Sequence, residues 1–235
     1  MSRPSDVLKL ENWKLTLPVK PASGVDTKKN GDAFEVFPKA LAKFADSRCF
    51  FVGDDGGVVT QVHHRDLTTK GSKNPRCELR EMKGEDSELD FKGRSGTHTL
   101  VVEGQVNRLT KKTKTVVLAQ VHDQKKPKSD DVTVFRLENK RLYVTDANHS
   151  HAHTVTENFK LGTRYTLKIE VKKGEVRYWY NGELVDFTLK VDDVKMYFKA
   201  GNYLQSNEDS APDESKDEFS EVVLYSVTTT HSDDD

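Results

Sequence analysis

The sequence predicts an all-β protein built from two antiparallel sheets that pack as a sandwich. Apolar and polar residues alternate with a period of two in many segments, and no long segment shows the 3.6-residue period of an amphipathic helix. Apolar residues make up 34% of the chain and charged residues 32%. This composition suits sheets that each bury one face and leave the other in water.

The strands can be assigned in order along the chain. The segments with the most regular alternation, or with strand-like composition, are Leu100–Asn107, Thr113–His122, Val132–Leu137, Leu189–Tyr203 and Glu218–Thr229. One short helix is expected at Pro38–Phe44, because proline is favoured in the first turn of a helix.

The clearest hairpin lies between Tyr165 and Val185. Apolar residues alternate with polar ones as far as Val171, and Lys173-Gly174 then turns the chain. A second turn at Asn181-Gly182 supplies two residues that accept positive φ, as a tight primed turn requires. Antiparallel strands are therefore expected on both sides of each turn.

Polar connections separate the predicted strands. The longest are Val19–Asp32, Asp123–Asp131, Asn148–Asn158 and Ser206–Asp217. On a sandwich such loops can form the walls of a groove. The chain contains no internal repeat and no linker, so we assign residues 1–235 to a single domain.

Charge and composition narrow the class of protein. The formal net charge is -1, which gives no general attraction to nucleic acid or to a membrane surface. No run of about 18 apolar residues is present, so no membrane-spanning helix is expected. The first residues lack the apolar stretch of a signal peptide, which fits a cytosolic protein or the mature form of a secreted one.

Cys49 and Cys77 form no Cys-x-x-Cys pair, which disfavours a cysteine zinc site and leaves one long-range disulfide open.

Three predicted strands carry polar residues on one face in a way that ordinary alternation does not explain. The polar faces are Arg76, Glu78 and Arg80 in the first strand, Gln120 and His122 in the second, and Tyr197, Lys199, Tyr203 and Gln205 in the third. Apolar residues such as Leu79, Val121 and Phe198 occupy the opposite faces. Gly201 within the third strand predicts either a bulge or a close approach of substrate.

If these strands are neighbours, their combined face suits β-elimination in a chain of uronic acids. The reaction removes the proton at C5, next to the sugar carboxylate, and the negative charge of that carboxylate opposes the step. Arginine, glutamine and histidine can neutralise or hydrogen-bond the carboxylate as charge develops. Tyrosine or histidine can act as the base near C5 and as the acid near the departing O4.

The same three segments resemble the signatures of the family 7 polysaccharide lyases, the alginate lyases. The family patterns R-[ST]-E-L-R, Q-[IV]-H and Y-F-K-A-G-x-Y-x-Q stand here as Arg76-Cys-Glu-Leu-Arg80, Gln120-Val-His122 and Tyr197–Gln205. Trp13–Pro18 and Gly71–Arg76 also resemble that family, and the likeness spans roughly residues 10 to 230. Cys77 departs from the pattern, but alternation points it away from the polar face.

The resemblance implies a β-jelly-roll sandwich whose concave sheet forms the substrate cleft, with neither an organic cofactor nor a catalytic metal. It implies that Arg76, Gln120 and His122 bind the sugar carboxylate, and that Tyr203 is the catalytic acid and, where geometry allows, the base. The residues expected to orient the sugar chain are Glu78, Arg80, Tyr197, Lys199 and Gln205. The expected protein is a secreted, monomeric, endo-acting lyase of alginate that binds neither nucleic acid nor membranes.

Two other functions and one other site remain open at this stage. Jelly-rolls also serve as non-catalytic carbohydrate-binding modules, and the same scaffold could cleave another polyuronate such as glucuronan. The alternating His149, His151 and His153 could converge on a zinc ion if they lay on a strand, but their polar surroundings predict a loop. Preference for mannuronate or guluronate is not fixed by the sequence.

Overall fold

The computed structural model describes residues 2–124 and 130–232, which fold into two antiparallel sheets packed face to face. The described elements, in chain order, are α1 (Pro4–Val7), β1 (Trp13–Leu17), β2 (Lys28–Asn30), β3 (Ala33–Val36), α2 (Pro38–Leu41), β4 (Phe50–Val52), β5 (Val58–His63), β6 (Arg76–Glu81), β7 (Phe91–Lys92), β8 (Thr97–Arg108), β9 (Thr115–Asp123), β10 (Asp131–Glu138), β11 (Arg141–Thr145), β12 (His151–Thr156), β13 (Arg164–Lys172), β14 (Glu175–Tyr180), β15 (Glu183–Lys190), β16 (Lys195–Leu204) and β17 (Phe219–Ser232). The predicted all-β class with two antiparallel sheets is confirmed.

The first sheet, sheet A, brings together the three strands that carry the unusual polar faces. Its strand order is β12-β11-β10-β9-β16-β6-β1-β3-β2, and β7 also pairs with β16. Strands β9, β16 and β6 are therefore consecutive neighbours. Their polar faces form one continuous surface on the outer side of the sandwich.

The second sheet, sheet B, closes the core from the other side. Its strand order is β15-β14-β13-β8-β17-β5-β4. Buried side chains of both sheets meet in one core, among them Leu79 and Phe198 from sheet A and Val102 and Tyr178 from sheet B. Burial of each such side chain contributes roughly 1.5–3 kcal/mol, so the core fixes the strands that hold the polar face. No helix among the described residues is long and apolar enough to cross a bilayer.

The predicted hairpin turns are present. Lys173 and Gly174 have φ values of 49° and 82°, and Asn181 and Gly182 have φ values of 51° and 87°. Positive φ at both central residues is the requirement of a primed hairpin turn. The turns join β13 to β14 and β14 to β15, as the alternation predicts.

Several predicted boundaries were wrong. The helix at Pro38 ends at Leu41, and the segment Leu189–Tyr203 is divided between the end of β15 and most of β16. The predicted loop Val19–Asp32 contains β2, and the predicted loop Asn148–Asn158 contains β12. Strand β12 is an edge strand in which no side chain is fully buried, so it lacks the alternation that marks the inner strands. Most of the predicted loop Asp123–Asp131 lies outside the described residues.

Both cysteines are free thiols in the buried core, so the disulfide that the sequence left open is absent from the described structure. The Cys77 thiol donates a hydrogen bond to the carbonyl oxygen of Cys49 at 3.2 Å. Burial raises the pKa of Cys77 well above its usual value, which keeps the thiol protonated and unreactive. Cys77 thus faces away from the polar face, as alternation predicts.

Candidate active site

A cleft of about 480 Å³ lies on the outer face of sheet A. Eight of the nine predicted site residues line it: Arg76, Arg80, Gln120, His122, Tyr197, Lys199, Tyr203 and Gln205. The ninth, Glu78, lies beneath the cleft floor with a side chain that is 1% exposed. The three sequence segments therefore converge on one place.

The strand register sets these side chains in rows across the sheet. Lys199 of β16 stands opposite Arg80 of β6 on one side and opposite Gln120 of β9 on the other. The next row along β16 pairs Tyr197 with His122. Because antiparallel neighbours hold directly opposite side chains about 5 Å apart, residues distant in sequence become adjacent in the cleft.

A bulge in β16 separates these rows from Tyr203. The pairing of β16 with β9 shifts between Ala200 and Tyr203, while the pairing with β6 stays regular. Gly201 has a φ of 144°, and a Cβ atom there would lie 2.7 Å from the carbonyl oxygen of Cys77. Of the two explanations for this glycine, the structure supports the bulge, and the close approach is that of strand β6.

Glu78 organises the floor of the cleft. Its carboxylate accepts a hydrogen bond from the Arg76 guanidinium at 3.1 Å, and further bonds from the Lys199 ammonium and the Gln120 amide. Burial alone would raise the pKa of Glu78, but the charges of Lys199 and Arg76 outweigh it and the pKa lies below its usual value. Glu78 is therefore ionised, and it holds in place three donor side chains that line the cleft.

Two tyrosine rings in the cleft are each covered by an arginine. The guanidinium carbon of Arg76 lies 3.5 Å from the ring centre of Tyr203. That of Arg80 lies 3.8 Å from the ring centre of Tyr197. A guanidinium over an aromatic face is attracted by the ring's electrons, so each pair holds its tyrosine in a defined orientation.

His122 is held as a neutral imidazole. Burial, followed by the nearby charge of Lys199, lowers the pKa of His122 to about 4. Its Nδ1 lies 3.0 Å from the carbonyl oxygen of Asp123, and only a protonated Nδ1 can donate to a carbonyl. In the neutral ring Nε2 then carries the lone pair. The ring stacks on Tyr197 with centroids 5.1 Å apart, which fixes its plane.

Lys199 is a buried cation whose charge is sensitive to pH. Burial and the positive charge of Arg76 lower the pKa of Lys199 to about 8, although Glu78 partly offsets them. The ammonium therefore carries its proton at neutral pH and loses it in mildly alkaline solution. Lys199 thus adds positive charge to the cleft floor, next to Arg76 and Gln120.

The cleft also contains residues that the sequence analysis did not single out as site residues. Lys14, Thr16, Asn30, Glu35, Ser72, Arg136 and Thr145 line it together with the predicted set. Lys14 and Thr16 lie on β1, opposite Arg80 and Glu78 of β6. Their alternation with Trp13, Leu15 and Leu17 could have indicated that they face the cleft. For Ser72, which lies in a loop, periodicity offers no signal.

The three alternating histidines do not converge. His149 contacts Asp131, His151 stacks on Tyr143 with centroids 4.0 Å apart, and His153 stacks on Phe187. The prediction of a loop was wrong for His151 and His153, which lie on β12. A register shift in the pairing of β11 with β12 turns these two side chains toward different surroundings.

One group at the edge of the cleft has the composition of a cation site. The potential ligand atoms of Asp130, Asp131 and His149 lie within 4.8 Å of one another. Burial, opposed by His149 and assisted by Asp130, raises the pKa of Asp131. Oxygen and imidazole ligands of this kind suit several divalent ions, and exposed groups of this composition are also common without a metal.

Comparison with known proteins identifies the family of the chain. A sequence model of the alginate lyase family matches residues 8–231. A solved alginate lyase from polysaccharide lyase family 7 aligns with a TM-score of 0.88 and 36% identity, over 99% of this chain and 100% of that chain. An alginate lyase from Corynebacterium sp. aligns with a TM-score of 0.87 and 36% identity, over 98% of each chain.

A family 7 alginate lyase solved in complex with substrate has a TM-score of 0.81, with 23% identity over 100% of this chain and 99% of that chain, a likeness of fold alone. No curated protein matches the chain. The predicted β-jelly-roll class is confirmed by these neighbours. The chain belongs to the alginate lyases of polysaccharide lyase family 7.

Proposed function

We propose that this protein depolymerises alginate by β-elimination of the 4-O-glycosidic bond and leaves unsaturated uronate ends. The observation that carries the proposal is the buried Glu78 carboxylate with its three donors, set beneath a cleft that also holds Tyr203 and His122. A binding module needs aromatic surfaces for sugars, but it needs no proton-transferring groups beside a neutralising cluster.

The first task of the site is to neutralise the sugar carboxylate. Arg76 uses one nitrogen on Glu78 and retains other N–H donors, and the Gln120 amide retains a second N–H. These donors are fixed before substrate binds, so they can stabilise the enolate-like intermediate without reorganisation. Lys199 adds positive charge from the floor. Arg80, Tyr197 and Gln205 are assigned to neighbouring sugar units.

The second task is proton transfer, and the two sugars of alginate pose it differently. In β-D-mannuronate the C5 proton and O4 lie on the same side of the ring, so Tyr203 can serve as both base and acid. In α-L-guluronate they lie on opposite sides, so a second group must accept the C5 proton. We assign that role to His122, because its Nε2 has a lone pair in the tautomer that donates to Asp123. A neutral acceptor nitrogen is suited to a base and unsuited to binding a carboxylate.

The whole chain is proposed to act as a single, monomeric, endo-acting lyase domain that works outside the cell. Alginate is a large extracellular polymer, and a cleft on an exposed sheet face can bind within a chain. Counting the products by size during the first few per cent of cleavage tests the endo assignment. Release of monomers or dimers alone at that stage would contradict it.

The activity is tested by incubating the protein with polymannuronate, polyguluronate and glucuronan in separate assays. We expect a rise in the ultraviolet absorbance of unsaturated ends with at least one of the two alginate polymers. Absorbance that rises only with glucuronan would instead assign the site to that polyuronate, and binding without any rise would assign the chain to the carbohydrate-binding modules.

The same assays with EDTA test the group formed by Asp130, Asp131 and His149. We expect unchanged rates, because the proposed chemistry relies on side-chain donors. Loss of activity that added calcium or zinc restores would show that a metal takes part.

A further inference from the structure

We infer that Ser72 is a positioning residue for Tyr203, and that its hydroxyl directs the proton of the Tyr203 phenol toward the sugar. The inference rests on the proposed role of Tyr203. Ser72 lies in the loop just before β6, and its Oγ is 2.9 Å from the phenolic oxygen of Tyr203. Either hydroxyl can be the donor in this contact.

The hydrogen bonds around Ser72 permit two arrangements. The backbone N–H of Asn74 donates to the Ser72 Oγ at 3.0 Å in both. In the first arrangement Ser72 donates to the carbonyl oxygen of Asn74, 3.3 Å away, and accepts the proton of Tyr203. In the second arrangement Ser72 donates to the phenolic oxygen, so the proton of Tyr203 must point elsewhere.

The second arrangement is the one that elimination requires. With Ser72 as donor, the O–H bond of Tyr203 is free to turn toward the departing O4. When the C5–H and C4–O4 bonds break, Tyr203 gives its proton to O4 and the resulting phenolate keeps the hydrogen bond from Ser72. On mannuronate the C5 proton restores the phenol, and on guluronate it goes to His122. Hydrogen bonds to charged groups are stronger than neutral ones, so the Ser72 bond strengthens as the phenolate forms.

The loop is anchored so that Ser72 cannot drift from this position. The Asn74 amide donates to the Gln205 side chain at 3.3 Å, and it accepts a hydrogen bond from the Asn207 amide. The backbone N–H of Leu204 donates to the carbonyl oxygen of Pro75 at 3.2 Å. Asn74 and Pro75, which follow Ser72 in the loop, are therefore bound to residues at and just after the end of β16. Because β16 also carries Tyr203, the Ser72 hydroxyl is preorganised for its contact with Tyr203.

The competing explanation is that Ser72 only stabilises its own turn. A serine hydroxyl that bonds the backbone two residues later is a common turn feature. Ser215 provides a matched control, because its Oγ accepts the N–H of Asp217 at 3.2 Å in the same spacing and it does not line the cleft. Ser215→Ala removes an equivalent turn bond without touching Tyr203.

The test compares Ser72→Ala, Ser72→Thr and Ser215→Ala on polymannuronate, with kcat, KM and Tm measured for each. For Ser72→Ala we expect kcat to fall about tenfold to a hundredfold, with KM nearly unchanged. Ser72→Thr keeps the hydroxyl and should recover most of the loss, and Ser215→Ala should match wild type.

An unchanged kcat in Ser72→Ala would overturn the inference. So would a fall in kcat that Ser72→Thr does not reverse and that follows a fall in Tm, because that pattern reports a structural turn. Tyr203→Phe, run beside these variants, separates the two proposals. If it keeps its turnover, the proposed role of Tyr203 fails. If it loses turnover while Ser72→Ala does not, only the role of Ser72 fails.

Discussion

The two arginine–tyrosine pairs of the cleft have similar geometry and different surroundings. Arg76 stacks on Tyr203 at 3.5 Å and Arg80 stacks on Tyr197 at 3.8 Å. The arginine of the first pair is bound to Glu78, whose side chain is 1% exposed. The arginine of the second pair is bound to Glu88, whose side chain is 46% exposed.

This difference indicates that stacking by itself does not define a catalytic tyrosine. An exposed ion pair is screened by water and contributes little, whereas a pair on a buried carboxylate has one favourable geometry. The Arg76–Tyr203 pair also adjoins the Ser72 hydroxyl, while the Arg80–Tyr197 pair adjoins the ring of His122. We therefore assign proton transfer to Tyr203 and positioning to Tyr197.

The largest expected effect separates the two tyrosines directly. Tyr203→Phe should lower kcat by about 10²- to 10⁴-fold, because it removes only the proton-transferring oxygen. Tyr197→Phe keeps the ring under Arg80 and should lower kcat far less. Initial rates of ultraviolet absorbance, with substrate binding measured separately, provide the comparison. Equal losses in both variants would contradict the assignment of roles.

The next effect concerns the histidine that stacks on Tyr197. His122→Asn keeps a hydrogen-bonding group but removes the base, so it should lower kcat on polyguluronate by about a hundredfold or more. On polymannuronate Tyr203 can perform both transfers, and the loss should be much smaller. Equal fractional losses on the two polymers would contradict the role of His122 as a base and leave it only the positioning of Tyr197, on which its ring stacks.

The arginines should differ by a smaller factor. Arg76→Ala removes a charged hydrogen bond from buried Glu78, and we expect kcat/KM to fall by about tenfold to a hundredfold. The matched Arg80→Ala should cost less, because Glu88 is reached by water. Arg76→Lys should not restore full activity, since an ammonium cannot grip a carboxylate at two points. Full activity in that variant would show that Arg76 supplies only diffuse charge.

The sequence predicted the polar faces of the central strands of sheet A better than it predicted the edges of the fold. Alternation correctly placed Arg76, Glu78 and Arg80 on one face of their strand. The signal is clear in the inner strands of sheet A because their opposite face packs against the buried core. Neither alternation nor composition could reveal that β6, β16 and β9 are neighbours. That adjacency was an assumption until the strand order was known.

The failures have physical causes as well. Neither face of strand β12 is fully buried, so its residues carry no alternating signal, and His151 and His153 were wrongly predicted to lie in a loop. The contact of Ser72 with Tyr203 joins residues 131 positions apart through a loop conformation that no local pattern encodes. The pKa shifts in the cleft arise from burial among charges, which depends on the assembled sheet.

The smallest expected effect is a pH dependence of activity that arises from Lys199. This residue stands between Arg80 and Gln120 in the strand register. Lys199 has a pKa of about 8, so above that value it loses the positive charge that offsets the sugar carboxylate. His122 has a pKa of about 4, so below that value it is protonated and cannot accept the C5 proton. Activity on polyguluronate should therefore be highest between these values and should fall on both sides.

One pH unit above the pKa of Lys199 the protonated fraction is about a tenth, so kcat/KM should fall by up to about tenfold. Lys199→Arg tests the cause, because arginine keeps its charge in this range. The variant should retain its activity at pH 9 relative to pH 7, whereas the wild type should not. Lys14→Arg, on strand β1 two strands away in the same cleft, serves as the matched control and should leave the alkaline decline in place. An alkaline decline that persists unchanged in Lys199→Arg would assign it to another group and remove Lys199 from the neutralising cluster.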